Sequence, residues 1–104
     1  MSSVREYTTQ VAGTRYRQDE IARCHDGHDV TLIRNPENEH DENAIEVWAG
    51  ELHIGFNPRD MKEVWAAWMD EGAEFEASIG EFLPPSGGTR FIGVVLDVVV
   101  SDAS

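Results

Sequence analysis

The chain of 104 residues contains one cysteine, Cys24, and one lysine, Lys62. A single cysteine excludes an internal disulfide and a zinc site built from several thiolates. No apolar run approaches the roughly 20 residues that a membrane-spanning helix needs. The first residues also lack the charged and then apolar pattern of a signal peptide. We therefore expect a single domain over residues 1–104, located in the cytoplasm and without membrane contact.

Basic residues are scarce, because eight Lys and Arg side chains stand against twenty Asp and Glu, for a net charge of −12. Proteins that bind nucleic acid along an extended track usually carry a basic face, since much of their affinity comes from phosphate neutralisation. The total charge therefore argues against binding to a long stretch of DNA and against binding to an anionic membrane. Four of the seven arginines nevertheless lie in or beside the motifs described below: Arg15, Arg17, Arg59 and Arg90.

The sequence lacks the patterns of common catalytic and metal sites. It has no nucleophile elbow, phosphate-binding loop or His-Glu-x-x-His motif. His40 and Asp41 do not predict a catalytic pair, because neighbouring residues of a strand point apart. Cys24, His25 and His28 lack a second ligand pair at the spacing of a metal site. We therefore expect no catalysis, no metal and no cofactor.

The alternation of apolar and polar residues predicts a mainly β protein with about six strands, one main helix and one short helix. The last strand is apolar on both faces, which predicts a central position in the sheet. Because no β-α-β series is present, we expect an antiparallel sheet, closed or nearly closed. The predicted strands lie at residues 4–12, 29–34, 44–48, 51–56, 73–83 and 89–101, and the short helix at 17–24.

Two details are predicted in the middle of the chain. A hairpin is expected to turn at residues 49–50, so that Val47 faces Leu52 and Ile45 faces Ile54 on one buried face. The main helix is predicted over residues 58–72, with Asn57 as its N-cap. Its apolar stripe has helical spacing and predicts the face that packs on the sheet. The residues of this stripe are Met61, Val64, Trp65, Trp68 and Met69.

The most specific feature is the run from Arg34 to Val47, which has the form Arg-x-Pro-x-Asn-x-x-Asp-x-Asn-Ala-Ile-x-Val. Two flanking segments accompany it, Val-Ala-Gly-Thr-Arg-Tyr at 11–16 and Ile-Gly-Phe-Asn-Pro-Arg at 54–59. Together these motifs resemble the HIRAN domain family over about residues 7–100. The resemblance implies a small OB-like antiparallel β-barrel with one or two helices. It also implies a non-catalytic module that binds the free 3′-hydroxyl end of single-stranded DNA.

The resemblance assigns roles to five residues in the first two motifs. Arg15 is expected to contact phosphate and Tyr16 to stack on a base. Asp41, together with Asn38, is expected to bind the terminal hydroxyl, which donates a hydrogen bond to the Asp41 carboxylate. His40 is expected to stack on a base, although several family members have tyrosine at its position. The residues alone favour an exposed surface pair for Arg15 and Tyr16, and the resemblance reverses that preference. Asn38 could equally be a residue that only caps the backbone of the turn.

Three more residues complete the implied DNA site. Arg59, expected in the first turn of the helix, would bind phosphate together with free backbone N–H groups. Phe91 would stack on a base at the start of the last strand. Phe56 would lie near the nucleotide, although its strand pattern alone favours a place in the core.

A second function stays open at this point. An adaptor module on the same barrel could bind a DNA-processing protein, and the acidic composition favours that alternative. A hydrolase has no support beyond generic carboxylates.

Overall fold

In the computed structural model, which describes residues 4–88 and 90–101, six strands form one antiparallel sheet. The strand order is β1-β6-β5-β2-β3-β4. This architecture, with two helices, confirms the predicted mainly β and OB-like class. The strands are β1 Val4–Gln10, β2 Asp29–Arg34, β3 Ile45–Ala49, β4 Leu52–Phe56, β5 Glu74–Leu83 and β6 Gly93–Ser101.

The two edge strands, β1 and β4, meet at one point. Within the described residues they share no ladder, but Ala12 and Phe56 form a single antiparallel bridge with two backbone hydrogen bonds of 2.9 Å. Gly55 permits this approach, because its φ is +151° and a Cβ there would collide with the Ala12 carbonyl oxygen and the Val11 side chain. The sheet therefore stops short of a closed barrel, and the residues that follow β1 lie beside the end of β4.

The last strand is central, as predicted. β6 pairs with β1 on one side and with β5 on the other, both antiparallel. Its side chains at alternate positions from Val94 to Val100 are buried and form the middle of the core. The strand begins at Gly93, later than the predicted residue 89, and Thr89 itself lies outside the described residues.

The β3–β4 hairpin forms, but its predicted register is wrong. The turn lies one residue later than predicted, so that Ala49 pairs with Leu52. Gly50 occupies its first position with a φ of +62°, which suits the turns that close two-residue hairpins. A register shift inside the hairpin then places Val47 opposite Gly55. Three of the four residues predicted on the buried face are nevertheless buried, Ile45, Val47 and Ile54, whereas Leu52 is only partly buried.

The helices are shorter than predicted. A 3₁₀ turn at Thr14–Tyr16 precedes α1, which covers only Gln18–Ile21. The main helix, α2, covers Lys62–Asp70, and Met61 rather than Asn57 occupies its N-cap position. Residues 58–61 form a turn before the helix begins. In the described part of the chain, no helix has the length and apolarity that a membrane crossing requires.

One face of α2 packs on the sheet through its tryptophans. Trp65 is fully buried, and its ring meets the rings of Tyr7 and Phe75 at centroid distances of 5.6 and 5.5 Å. Trp68 is only partly buried, and its ring centroid lies 6.3 Å from that of Tyr7. Val64 is 42% exposed, so it does not belong to the predicted apolar stripe.

The difference between the two tryptophans predicts different stability losses. Trp65→Ala should lower the free energy of unfolding by about 3–5 kcal/mol, because it empties a fully buried site. Trp68→Ala should cost clearly less, because part of that side chain already contacts water. Urea denaturation of both variants measures the difference, and equal losses would contradict this account of the core.

Candidate functional site

Two neighbouring pockets, each about 740 Å³ in volume, open beside the bridge between Ala12 and Phe56. The loop pocket is formed by residues from segments 12–17, 38–44 and 56–62. The rim pocket is formed by residues from segments 10–16 and 83–93, together with Arg59. Both pockets share three residues, so they are two parts of one concave surface: Gly13, Tyr16 and Arg59.

All eight residues predicted for the site line one or both pockets. They come from four separate parts of the chain, and the fold brings them together. Their contacts with a ligand stay predictions. The loop pocket contains Asn38, His40, Asp41 and Phe56, the rim pocket contains Arg15 and Phe91, and both contain Tyr16 and Arg59.

The charges of the pockets are opposite in sign to the charge of the chain. Among the described lining residues, the cations are Arg15, Arg17, Arg59 and Lys62, and the one carboxylate is Asp41. The lining therefore has a formal charge of +3, while the whole chain has −12. A concave surface with this local charge attracts a small anionic ligand even on an acidic protein.

Asn38 shapes the loop between β2 and β3. Its side-chain oxygen accepts hydrogen bonds from the backbone N–H groups of His40 and Asp41, at 2.9 and 3.1 Å. Asp41 in turn accepts a hydrogen bond at Oδ1 from the backbone N–H of Asn43, at 2.9 Å. The turn-capping interpretation of Asn38 is therefore confirmed, and hydrogen bonds within the loop define its shape.

Asp41 is an ionised acceptor inside the loop pocket. The hydrogen bond from the Asn43 N–H and then the contact with Lys62 hold the pKa of its carboxyl below the ordinary value. Lys62 Nζ lies 3.1 Å from Asp41 Oδ2. An ionised carboxylate can only accept hydrogen bonds, so Asp41 suits a ligand group that donates one.

Lys62 is a pocket residue that the sequence analysis missed. It belongs to the first turn of α2, and its partner Asp41 lies in a loop from a different part of the chain. The available signal was its position three residues after Arg59, in a chain with no other lysine.

Asn57 fixes the loop from inside the protein and is also a residue whose role was predicted wrongly. It is only 5% exposed. Its Oδ1 accepts a hydrogen bond from the backbone N–H of Ile45 at 3.2 Å, and its Nδ2 donates to the Asn43 carbonyl at 3.5 Å. Asn57 therefore joins the end of the loop to the turn before α2 and does not cap the helix.

Arg34, the first residue of the main motif, fixes the loop from outside. Its guanidinium donates to the carbonyl oxygens of Glu42 and Ala44, at 2.7 and 3.2 Å. It also donates to both carboxylate oxygens of Asp70 at the end of α2, at 3.2 and 3.3 Å. The loop is thereby tied to the strand that precedes it and to the main helix.

An arginine and two aromatic rings form the wall of the rim pocket. The guanidinium carbon of Arg15 lies 5.1 Å from the ring centre of Tyr16 and 5.6 Å from that of Phe91. Tyr16 is 76% exposed, while Phe91 is partly buried. A cation beside exposed aromatic surface is the combination that single-stranded nucleic acids bind in many proteins.

The positions of Phe56 and Arg59 differ from the expectations. Phe56 is partly exposed at the loop pocket, so it is not a plain core residue. Its ring meets the ring of His53 edge-on at 5.2 Å. Arg59 is exposed and lies in the turn before α2, so its predicted position in the first turn of the helix is wrong.

Beside the loop pocket, Glu46 and His53 flank Trp48. Glu46 accepts hydrogen bonds from the Trp48 indole N–H at 2.9 Å and from the Asn35 amide at 2.8 Å. The hydrogen bond from Trp48 is the main cause that lowers the pKa of Glu46. His53 stacks on Trp48 at 4.8 Å, and burial is the main cause that lowers its pKa.

These shifts predict a loss of stability in acid. His53 has a lower pKa when folded than when unfolded, so the unfolded chain takes up protons first as the pH falls below about 6.5. The free energy of unfolding should therefore decrease from pH 7 towards pH 5. At lower pH, Asp41 and Glu46 add to the loss, because their carboxyl groups take up protons in the unfolded chain before they do so in the folded protein.

Urea denaturation at several pH values checks this prediction. His53→Gln should flatten the pH dependence between pH 7 and pH 5 relative to the wild type. A wild-type slope in His53→Gln would contradict the assignment to His53.

The segment with Cys24, His25 and His28 forms a different arrangement. The rings of His25 and His28 stack at 4.3 Å with an interplanar angle of 9°. Across the described residues, no group of three or more His, Cys, Asp or Glu side chains is placed to hold a metal ion.

Comparisons with known proteins agree with the motifs. The family model of the HIRAN domain matches residues 4–82, a range that includes seven of the eight predicted site residues and leaves out Phe91. A Fanconi-associated nuclease 1 homolog from Arabidopsis thaliana is 33% identical over 78 residues, which are 73% of this chain. The match spans only 9% of the length of that nuclease homolog.

Two solved structures have the same fold. The crystal structure of the HIRAN domain of human HLTF has a TM-score of 0.73 and 21% identity, with 97% of this chain and 80% of that chain covered. A protein from Lactobacillus plantarum has a TM-score of 0.67 and 24% identity, with 95% of this chain and 98% of that chain covered. At these identities the likeness concerns the fold.

Proposed function

Because the chain belongs to the HIRAN domain family, we propose that it is a non-catalytic module that binds the free 3′-hydroxyl end of single-stranded DNA. The observation that carries this proposal is the loop pocket. It presents one ionised carboxylate, that of Asp41, among three cations: Arg17, Arg59 and Lys62. A strand end offers the matching groups, a hydroxyl that donates a hydrogen bond and phosphates that carry negative charge.

The carboxylate favours a hydroxyl end over other ends. Asp41 accepts a hydrogen bond from Asn43 at Oδ1 and contacts Lys62 at Oδ2. Because a carboxylate oxygen has two lone pairs, each can accept a further hydrogen bond. A terminal hydroxyl can donate to it. A terminal phosphate would bring additional negative charge towards Asp41, and a continuing strand would offer no donor at that position.

The rest of the concave surface suits the last one or two nucleotides. All five residues of this part of the proposal line the pockets. In the proposed complex, Arg15 and Arg59 contact phosphates, and Tyr16, His40 and Phe91 stack on bases. A ligand this short needs only two or three phosphate contacts, which an acidic protein can provide locally. The length of the strand outside the pockets then adds little to the affinity.

End selection is the first test of this proposal. We expect binding to weaken at least tenfold when the 3′-hydroxyl strand is replaced by a 3′-phosphate strand or a circular one, because a charge-assisted hydrogen bond of about 1.5–3 kcal/mol is lost. Asp41→Asn, which keeps an oxygen for the Asn43 N–H, should narrow this discrimination. Arg15→Ala should weaken all strands alike. Fluorescence anisotropy with labelled short strands measures each affinity.

Glu42→Ala is the matched control, because Glu42 is an exposed acid of the same loop that lines neither pocket. It should leave the discrimination unchanged. Equal affinity of the wild type for linear and circular strands would refute end binding.

A second candidate is an adaptor module that binds a DNA-processing protein. An acidic surface on the outer face of the sheet favours this function. Glu6 of β1 and Glu76 of β5 lie on either side of Val99 of β6, and Asp97 of β6 is exposed. Absence of binding to every tested strand would favour this function over DNA binding.

A further inference from the structure

Lys62 is the one cation of the loop pocket that forms an ion pair with the carboxylate of that pocket. We infer that Lys62 has two contacts in the complex: it holds Asp41 in place and it binds the last phosphodiester of the strand. The pocket would then recognise a hydroxyl and a phosphate that belong to the same terminal nucleotide. This inference rests on the proposed function and adds a specificity-determining residue to it.

The geometry of the pair leaves Lys62 able to make a second contact. Its Nζ lies 3.1 Å from Asp41 Oδ2, and an ammonium group has three N–H donors. The Lys62 side chain is 38% exposed and that of Asp41 is 29% exposed, so a ligand in the pocket can reach both. The other oxygen of Asp41 already accepts the Asn43 N–H, which sets the direction of the carboxylate.

The electrostatics explain why a cation is needed beside Asp41. The terminal hydroxyl and the last phosphodiester are attached to the same sugar, so a carboxylate that binds the hydroxyl also lies close to the phosphate. Coulomb repulsion between the two anions falls only inversely with distance. The Lys62 ammonium group, in contact with Asp41, offsets the repulsion between the carboxylate and the last phosphodiester.

Folding stability alone does not account for the pair. Ion pairs between side chains as exposed as these contribute little to stability. In this pair, Lys62 comes from the first turn of α2 and Asp41 from the loop after β2, and both line the pocket. Its position thus connects the pair with ligand binding.

The experiment measures the affinity for a short 3′-hydroxyl DNA strand at several salt concentrations. For Lys62→Met we expect the slope of log affinity against log salt to become shallower by about 0.7, the value for one phosphate contact on a single strand. Lys62→Arg should keep the wild-type slope. Arg23→Met is the matched control, because Arg23 is exposed and lines neither pocket, and its slope should equal that of the wild type.

A second measurement needs no DNA. The pKa of the Asp41 carboxyl, followed by NMR, should rise in Lys62→Met because the ammonium is lost, and it should stay low in Lys62→Arg. Circular dichroism shows that each variant is folded before either measurement.

The outcomes separate the two proposals. A shallower slope together with a raised Asp41 pKa supports both contacts of Lys62. A wild-type slope in folded Lys62→Met, with end selection intact in the wild type, refutes the inference and leaves the proposed function standing. An unchanged Asp41 pKa in Lys62→Met refutes the ion pair. A wild-type protein that binds no strand overturns the proposed function and this inference with it.

Discussion

The backbone bridge between Ala12 and Phe56 is the constraint on which the site depends. Without it, the residues after β1 and the end of β4 would lie at opposite edges of an open sheet. Gly55 makes the approach possible, because any side chain there would collide with the Ala12 carbonyl and with Val11. Both pockets lie beside this contact, so the same backbone approach that nearly closes the sheet also creates the concave surface.

The charge of the pocket lining differs in sign from the charge of the whole chain. The excess of acids gives the chain a net charge of −12, yet only one acid lies among four cations in the described pocket lining. Long-range attraction of nucleic acid is therefore weak, while a short ligand inside the pockets meets a positive surface. Under the proposed function, the acidic faces outside the pockets would repel the rest of a long strand, so contact with its end would be favoured over contact along its length.

The fold was largely predictable, because alternating residues identify the strands and the two-sided apolar strand identifies the centre of the sheet. The individual contacts between separate segments could not be predicted from the sequence. The hairpin register depends on the turn at Gly50 and on a shift next to Val47, which the apolar pattern does not encode. Asparagine is a residue type that often caps helices, but the Asn57 side chain accepts a hydrogen bond from the backbone N–H of Ile45 instead. Lys62 had only a weak local signal, its position three residues after Arg59, because its partner Asp41 is distant in sequence.

The loop between β2 and β3 has a further consequence for the kinetics of binding. Asn38, Asn57 and Arg34 each hold it through hydrogen bonds that need no ligand. The conformational entropy of the loop is therefore lost when the protein folds, and little remains to be lost when a ligand arrives. A preorganised surface of this kind can bind a ligand as small as one nucleotide without a slow rearrangement. Different strand ends would then associate at similar rates, and the lifetime of the complex would distinguish one end from another.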